Sequence, residues 1–135
     1  MSFFDDLTTA TAGERAAFAA IPQIRDGLSG RISRETYVAY LSQAYHHVSH
    51  TVPLMLAARA RLGPDRAGFV AALDEYIAEE TGHEQWILND IRAAGGDPDQ
   101  TVRAGPNAAT EMMVAYAYDF IARVNPMGFF GMVYV

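Results

Sequence analysis

The sequence predicts an all-α protein in which residues 1–135 form a single domain. Apolar residues recur at spacings of three and four along several long segments, which is the period of an amphipathic helix. Half of the residues are apolar, so a core can form. No sustained apolar–polar alternation flanks a hairpin turn, as a sheet would require. Proline and glycine punctuate the helical segments and separate them.

The N-terminal region is expected to hold short helices. Residues 2–20 form one or two of them, with Ser2 and Thr11 as possible caps. Pro22 can open a further turn, which Gly27 and Gly30 then close.

A long helix is predicted to start near Ser33 and to end at Gly63-Pro64. Pro53 lies inside this apolar-periodic run, where it removes one backbone hydrogen bond. We therefore expect a kink near residues 49–52.

The next helix is predicted to run from Asp65 to Ala94, and a loop from Gly95 to Pro106 follows it. A further helix then spans residues 107–124. It is apolar nearly all round, so it should be central and buried. Its proposed core stripe is Met113, Tyr116, Phe120 and Val124.

Asn125-Pro126 is a helix start signal, and residues 127–135 after it carry no charge. An apolar segment of this kind is typical of the beginning of a core helix. The chain is therefore interpreted as an incomplete bundle whose later helices are missing, or as one that completes its core with a second copy. A homodimer is the expected assembly.

Composition excludes several classes of function. The net charge of −6 disfavours binding to nucleic acid or to an anionic membrane surface. The absence of cysteine excludes disulfides, thiolate metal sites and cysteine nucleophiles within this sequence. Neither a signal-peptide pattern nor a long apolar span is present, so a cytoplasmic location is predicted.

The strongest candidate for a metal site is the pair Glu80 and His83. The predicted core stripe of its helix contains Phe69, Leu73, Tyr76, Glu80, His83, Ile87 and Asp90. A buried carboxylate needs a partner or a metal, and residues at i and i+3 are neighbours on a helix. Carboxylate and imidazole ligands suit non-haem iron or manganese. A simple hydrogen bond between Glu80 and His83 is the alternative.

A second group of candidates surrounds the predicted kink. Three histidines in five residues, His46, His47 and His50, follow Tyr45. A neutral imidazole can bind metal, relay protons or orient a substrate. Trp86 lies one turn beyond His83 and could wall the same pocket. The alternative for all five side chains is a structural role between helices.

The segments "YVAYLSQAYHHVSHTVPLM", "YIAEETGHEQWILNDIRAAGGDP" and "NPMGFFGMVYV" together resemble the heme-oxygenase-like superfamily. The similarity covers about residues 20–135 and is greatest to the iron-containing redox enzyme branch. Relatives include the heme-oxygenase-like di-iron oxidases, pyrroloquinoline-quinone synthase and the TenA-like thiaminase II family. The resemblance implies a heme-oxygenase-like helical bundle of which this chain is the N-terminal portion.

The resemblance also implies site residues. Di-iron members use a Glu and a His of one core helix as their first two metal ligands, and these match Glu80 and His83. No haem is expected, because heme oxygenase proper binds haem through a histidine near its N-terminus, whereas the first histidine here is His46. The first hypothesis is therefore an oxidase that activates dioxygen on a small, partly apolar metabolite.

Two alternatives stay open. One is a metal-free enzyme or binder of a ring-bearing metabolite, similar to TenA-like proteins and quinone synthase, in which Glu80 is an acid–base group. The other is a non-catalytic helical module whose apolar C-terminal segment drives dimerisation.

Overall fold

The computed structural model describes residues 2–134, and within that range it contains helices and turns but no strand. The all-α prediction is confirmed. The chain divides into two compact units, one ending at Arg34 and the other spanning Glu35–Tyr134. The expectation of a single domain over residues 1–135 stays a prediction.

The N-terminal unit contains three short helices: α1 (Phe3–Ala10), α2 (Ala12–Ala19) and α3 (Pro22–Leu28). Ser2 caps α1 with a capping box, in which its hydroxyl accepts from the Asp5 amide while the Asp5 carboxylate accepts from the Ser2 amide. Thr11 precedes α2, but its hydroxyl donates to the carbonyl of Leu7 and caps nothing. No residue of these helices is buried.

The predicted kink before Pro53 is present as a complete break between two helices. Helix α4 spans Arg34–Val48 and α5 spans Thr51–Arg59. Pro53 lies in the first turn of α5, where an amide hydrogen has no partner within the helix. A proline is tolerated in the first turn of a helix but not in its interior. The helical run therefore breaks at Ser49 and His50 and restarts just before Pro53.

The expectation of one helix from Asp65 to Ala94 is wrong. A 3₁₀ turn at Pro64–Arg66 leads into α6 (Ala67–Glu80), and a separate helix α7 covers His83–Ala93. Between α6 and α7, Thr81 is extended and Gly82 has φ of 93°. This left-handed conformation favours glycine and interrupts the helix.

The break at Gly82 also changes which face of α7 is buried. Ile91 is fully buried, whereas Asp90, the last member of the predicted stripe, is exposed. A stripe drawn at uninterrupted helical spacing is therefore out of phase after the break.

The predicted loop before Pro106 contains a helix, α8 (Pro98–Ala104). The Asp97 carboxylate accepts from the amides of Asp99 and Gln100, at 2.9 and 3.2 Å. Pro98 occupies the first helical position, so the sequence does contain an Asp-Pro start signal at this point.

Helix α9 spans Ala108–Asp119 and continues into a π-helical turn at Phe120–Val124. The expectation of a central, buried helix is wrong for most of this segment. Thr110, Ala117 and Ile121 face the interior, whereas the proposed stripe is largely open, with Tyr116 65% exposed. Helix α9 packs on α5 along one face only, which leaves its other apolar side uncovered.

Helix α10 spans Gly128–Tyr134. It begins two residues after the predicted Asn125-Pro126 start, and the Asn125 side chain accepts from the Met127 amide at 2.9 Å. The end of the predicted helix at Val135 lies outside the described residues. Phe129 of α10 is buried.

The core of the second unit lies where α5, α6, the π turn and α10 meet. Its buried members are Leu54, Met55, Ala58, Leu73, Ala117, Ile121 and Phe129. Burial of each large apolar side chain contributes about 1.5–3 kcal/mol to folding. This core fixes α6 relative to α9 and α10, and so positions the residues at the end of α6.

Candidate functional site

Glu80 and His83 lie on opposite sides of the break between α6 and α7. The Nδ1 atom of His83 is 3.0 Å from Oε2 of Glu80. The two side chains are partly buried, with 27% of His83 and 20% of Glu80 exposed. Glu80 is the last residue of α6 and His83 the first of α7. The structure thus brings the predicted pair together, but through a glycine turn and not along one helix.

Tyr76 extends this pair towards the interior. It lies one helical turn before Glu80, so its phenol is close to the Glu80 carboxylate and interacts with its charge. Burial raises the pKa of Tyr76, and the charges of Glu80 and Glu79 raise it further. The sequence pattern predicts Tyr76 only as a core residue. The signal for its further role is its i, i+4 spacing to Glu80.

Trp86 lies against His83 on the outer side of the pair. The ring centroids are 4.0 Å apart and the planes are inclined by 29°. The indole is 62% exposed. Trp86 therefore contacts His83 itself. It does not line the apolar cleft between α4, α5, α6, α9 and α10.

The three neighbouring histidines point in different directions. Nε2 of His46 lies 3.1 Å from the carbonyl oxygen of Thr101, and the ring of Tyr45 makes an edge contact with His46. His46 and Tyr45 thus form a seam towards α8.

His50 and His47 have different neighbours. Nδ1 of His50 lies 3.0 Å from the hydroxyl of Tyr118, whose pKa is raised by burial. His47 is the only one of the three that lines the cleft. Burial lowers the pKa of His47, and a hydrogen bond to the backbone carbonyl of Gln43 partly opposes that effect. His47 is therefore neutral at pH 7.

A cleft of about 530 Å³ lies between α4, α5, α6, α9 and α10. Its polar lining consists of His47, Thr51, Tyr76 and Tyr116. The rest of the lining is apolar and includes Leu54, Met113, Val114, Ala117 and Phe129. Of the described residues that line the cleft, none is charged. Tyr76 connects it to Glu80, because the phenol lines the cleft and lies one helical turn from the carboxylate.

The donor set at the end of α6 fits part of a non-haem metal site. A carboxylate and an imidazole stand side by side, and both are chemically suited to iron or manganese. Across residues 2–134, however, no group of three or more His, Cys, Asp or Glu side chains is arranged to hold a metal ion. Glu80 and His83 can therefore supply two ligands, and a full coordination sphere needs others.

Comparisons with known proteins are consistent with this geometry. Residues 38–135 match the family model described as "iron-containing redox enzyme". No curated protein matches the chain.

One similar solved structure is the crystal structure of a domain of unknown function with a heme oxygenase-like fold from Shewanella denitrificans. It is 24% identical, with a TM-score of 0.82, over 94% of this chain and 55% of that one. The chain thus spans just over half the length of that protein. Among the residues that the structure describes, no helix combines the length and apolar character needed to cross a membrane.

Proposed function

We propose, for a chain that belongs to the family of iron-containing redox enzymes, that Glu80 and His83 provide two ligands of a non-haem iron site that oxidises a small, partly apolar molecule with dioxygen. The fold is heme-oxygenase-like, as the sequence resemblance implied. Two irons, dioxygen as the oxidant and the identity of the substrate are parts of this proposal.

The observation that carries the proposal is the contact between Glu80 and His83, one helical turn beyond Tyr76 in the wall of an apolar cleft. A carboxylate and an imidazole held 3.0 Å apart can turn towards a common cation with little rearrangement. Their partial burial strengthens electrostatic interactions with a bound ion. When bound there, iron would supply the redox chemistry that side chains alone cannot provide.

The surrounding residues have distinct roles in this proposal. Tyr76 lies one helical turn before Glu80 and interacts with its carboxylate, so it would help to orient that ligand. Binding of a common ion would replace the contact between Nδ1 of His83 and Oε2 of Glu80, so that a lone pair of the neutral imidazole and a carboxylate oxygen both face the ion. The apolar cleft beyond Tyr76 would hold the substrate and exclude water from it.

The test is an anaerobic titration of the chain with Fe(II), monitored by metal content after desalting. We expect Glu80→Ala and His83→Ala each to weaken binding roughly tenfold or more, since each removes a ligand. Glu75→Ala removes an exposed carboxylate from the same helix, and His46→Ala removes an imidazole bonded to the backbone; both should bind as the parent does. Equal binding by all four variants contradicts the assignment of ligands.

A second candidate is a metal-free enzyme or binder. It is favoured by the observation that Glu80 and His83 already satisfy each other by a hydrogen bond. Glu80 would then act as an acid–base group next to the cleft, and neutral His47 would be a second polar group on the cleft wall. An activity that persists unchanged with a strong chelator present would favour this candidate over the iron enzyme.

The homodimer stays a prediction. It is supported by the open apolar side of α9, where Met112 is 72% and Met113 51% exposed. Sedimentation at several protein concentrations tests it, and a monomer throughout would contradict it.

A further inference from the structure

We infer that the cleft between α4, α5, α6, α9 and α10 binds an uncharged, largely apolar molecule that presents one hydrogen-bond donor to His47. The inference names the substrate class of the proposed oxidase, and to that extent it rests on the proposed function. It is nevertheless a statement about binding, which is measurable without iron.

The charge of the lining is the first argument. The cleft has the volume of a small-molecule site, about 530 Å³, and its described lining contains no Asp, Glu, Lys or Arg. A charged ligand would lose its hydration there and gain no ion pair in return. An uncharged ligand loses much less, so charge complementarity favours it.

The surroundings of Tyr76 further disfavour an anion. The Glu80 carboxylate lies one helical turn from Tyr76, whose phenol lines the cleft, and gives that end of the cleft a negative potential. The same negative potential would repel an anionic ligand. A cation would be attracted by it, but the described lining offers no carboxylate with which a cation could pair.

His47 determines whether the ligand must donate or accept the hydrogen bond. Its ring lines the cleft, and the nearby backbone carbonyl of Gln43 favours a proton on one ring nitrogen. Because burial keeps the imidazole neutral, the second ring nitrogen is an acceptor. A ligand that satisfies it must donate a hydrogen bond, as an alcohol, a phenol or an amide N–H does.

The experiment is displacement of a neutral fluorophore, N-phenylnaphthylamine, from the chain at neutral pH with a chelator present. The competitors are octanol, octanoate and octylammonium, which share one apolar chain and differ in charge. We expect octanol to displace the fluorophore at a concentration at least about tenfold lower than either ion does. If either ion competes as well as octanol, or if the fluorophore does not bind, the inference is wrong.

A pair of neighbouring variants locates the binding. Met113 lines the cleft and Met112 does not, although both are exposed on α9. Met113→Lys should improve competition by octanoate about two- to fivefold, whereas Met112→Lys should leave the preference unchanged. Identical behaviour of the two variants would place the fluorophore elsewhere and overturn the inference.

The role of His47 is tested with octanol and octyl methyl ether, which has no O–H group. His47→Phe should weaken octanol about two- to tenfold and leave the ether unchanged. Equal losses for both compounds, or none for either, would contradict the donor requirement.

The two proposals fail separately. If octanol shows no preference over the two ions while Fe(II) still binds through Glu80 and His83, this inference is wrong and the iron site stands. Fe(II) binding that is unchanged in Glu80→Ala and His83→Ala, together with the expected preference for octanol, would remove the iron site and leave the cleft as a binding site for neutral molecules.

Discussion

The indole of Trp86 lies against the imidazole of His83, with ring centroids 4.0 Å apart. The indole covers a face of the imidazole while Glu80 contacts its Nδ1 atom, so both neighbours restrict rotation of the ring. The ring of His83 is thus held on two sides before any metal is present.

This contact makes Trp86, the only tryptophan of the chain, a reporter of the proposed site. We expect Fe(II) or Co(II) to quench its fluorescence until one equivalent is bound, because a paramagnetic ion on His83 would be adjacent to the indole. The quenching should disappear in His83→Ala and persist in Glu75→Ala. Quenching that is unchanged in His83→Ala would show that the metal binds elsewhere.

Gly82 should be intolerant of a side chain although it has space for one. Its φ is 93°, and no heavy atom lies within 4 Å of the position that a Cβ would occupy. We expect Gly82→Ala to lower the free energy of unfolding by about 1–2 kcal/mol, since an L-residue is strained in this region. Urea unfolding measures this loss.

Gly68 in α6 is the matched control for Gly82, because it has neither a close contact nor a positive φ. Gly68→Ala should raise stability by about 0.4–1 kcal/mol. Equal effects at both positions would argue against the turn geometry.

Gly128 should be intolerant for a different reason, the close approach of a neighbouring ring. A Cβ at Gly128 would overlap the side chain of Phe120, whereas a Cβ at Gly131 meets nothing within 4 Å. We expect Gly128→Ala to cost about 1–3 kcal/mol in thermal or urea unfolding, and Gly131→Ala to cost nothing. In a Phe120→Ala background the cost at Gly128 should largely vanish, and its persistence would rule out the ring as the cause.

His47 should make stability depend on pH on the acidic side of neutrality. Burial lowers its pKa in the folded chain below the ordinary 6.5, so the unfolded chain binds the proton more tightly. Its stabilising contribution is therefore complete above the unfolded pKa and is lost as the pH falls towards the folded pKa. The free energy of unfolding should decrease from pH 7 to about pH 5.5 less steeply in His47→Phe than in the parent. A parallel decrease in both would exclude His47 as the source.

Much of the helical order could be predicted because it depends on local chemistry. The break before Pro53 follows from a missing amide hydrogen, and the capping box at Ser2 follows from two side chains three residues apart. The Asp97-Pro98 start belongs to the same local chemistry, although the prediction for this segment is a loop. The left-handed conformation of Gly82 depends instead on the tertiary packing of α6 on α5 and of α7 on α8, which periodicity does not contain.

The candidate site could be predicted only in part. Glu80 and His83 are neighbours because they are close in sequence, and that much follows from spacing. The directions of His46 and His50 depend on partners 55 and 68 residues away, Thr101 and Tyr118. Such partners are fixed by tertiary packing. The open side of α9 could not be predicted for the same reason, since composition reveals that a face is apolar but not what covers it.

The π turn at the end of α9 determines how the chain enters α10. Such a turn is an α-helix with one residue inserted, so it offsets everything after it by about 100° around the helix axis. Here the Asn125 amide bonds to the carbonyl of Phe120, and Arg61 donates to the carbonyl of Ile121. Pro126, five residues beyond Ile121, has no amide hydrogen to offer that carbonyl. An arginine just beyond α5 thus occupies the gap left in the hydrogen-bond ladder at the end of α9.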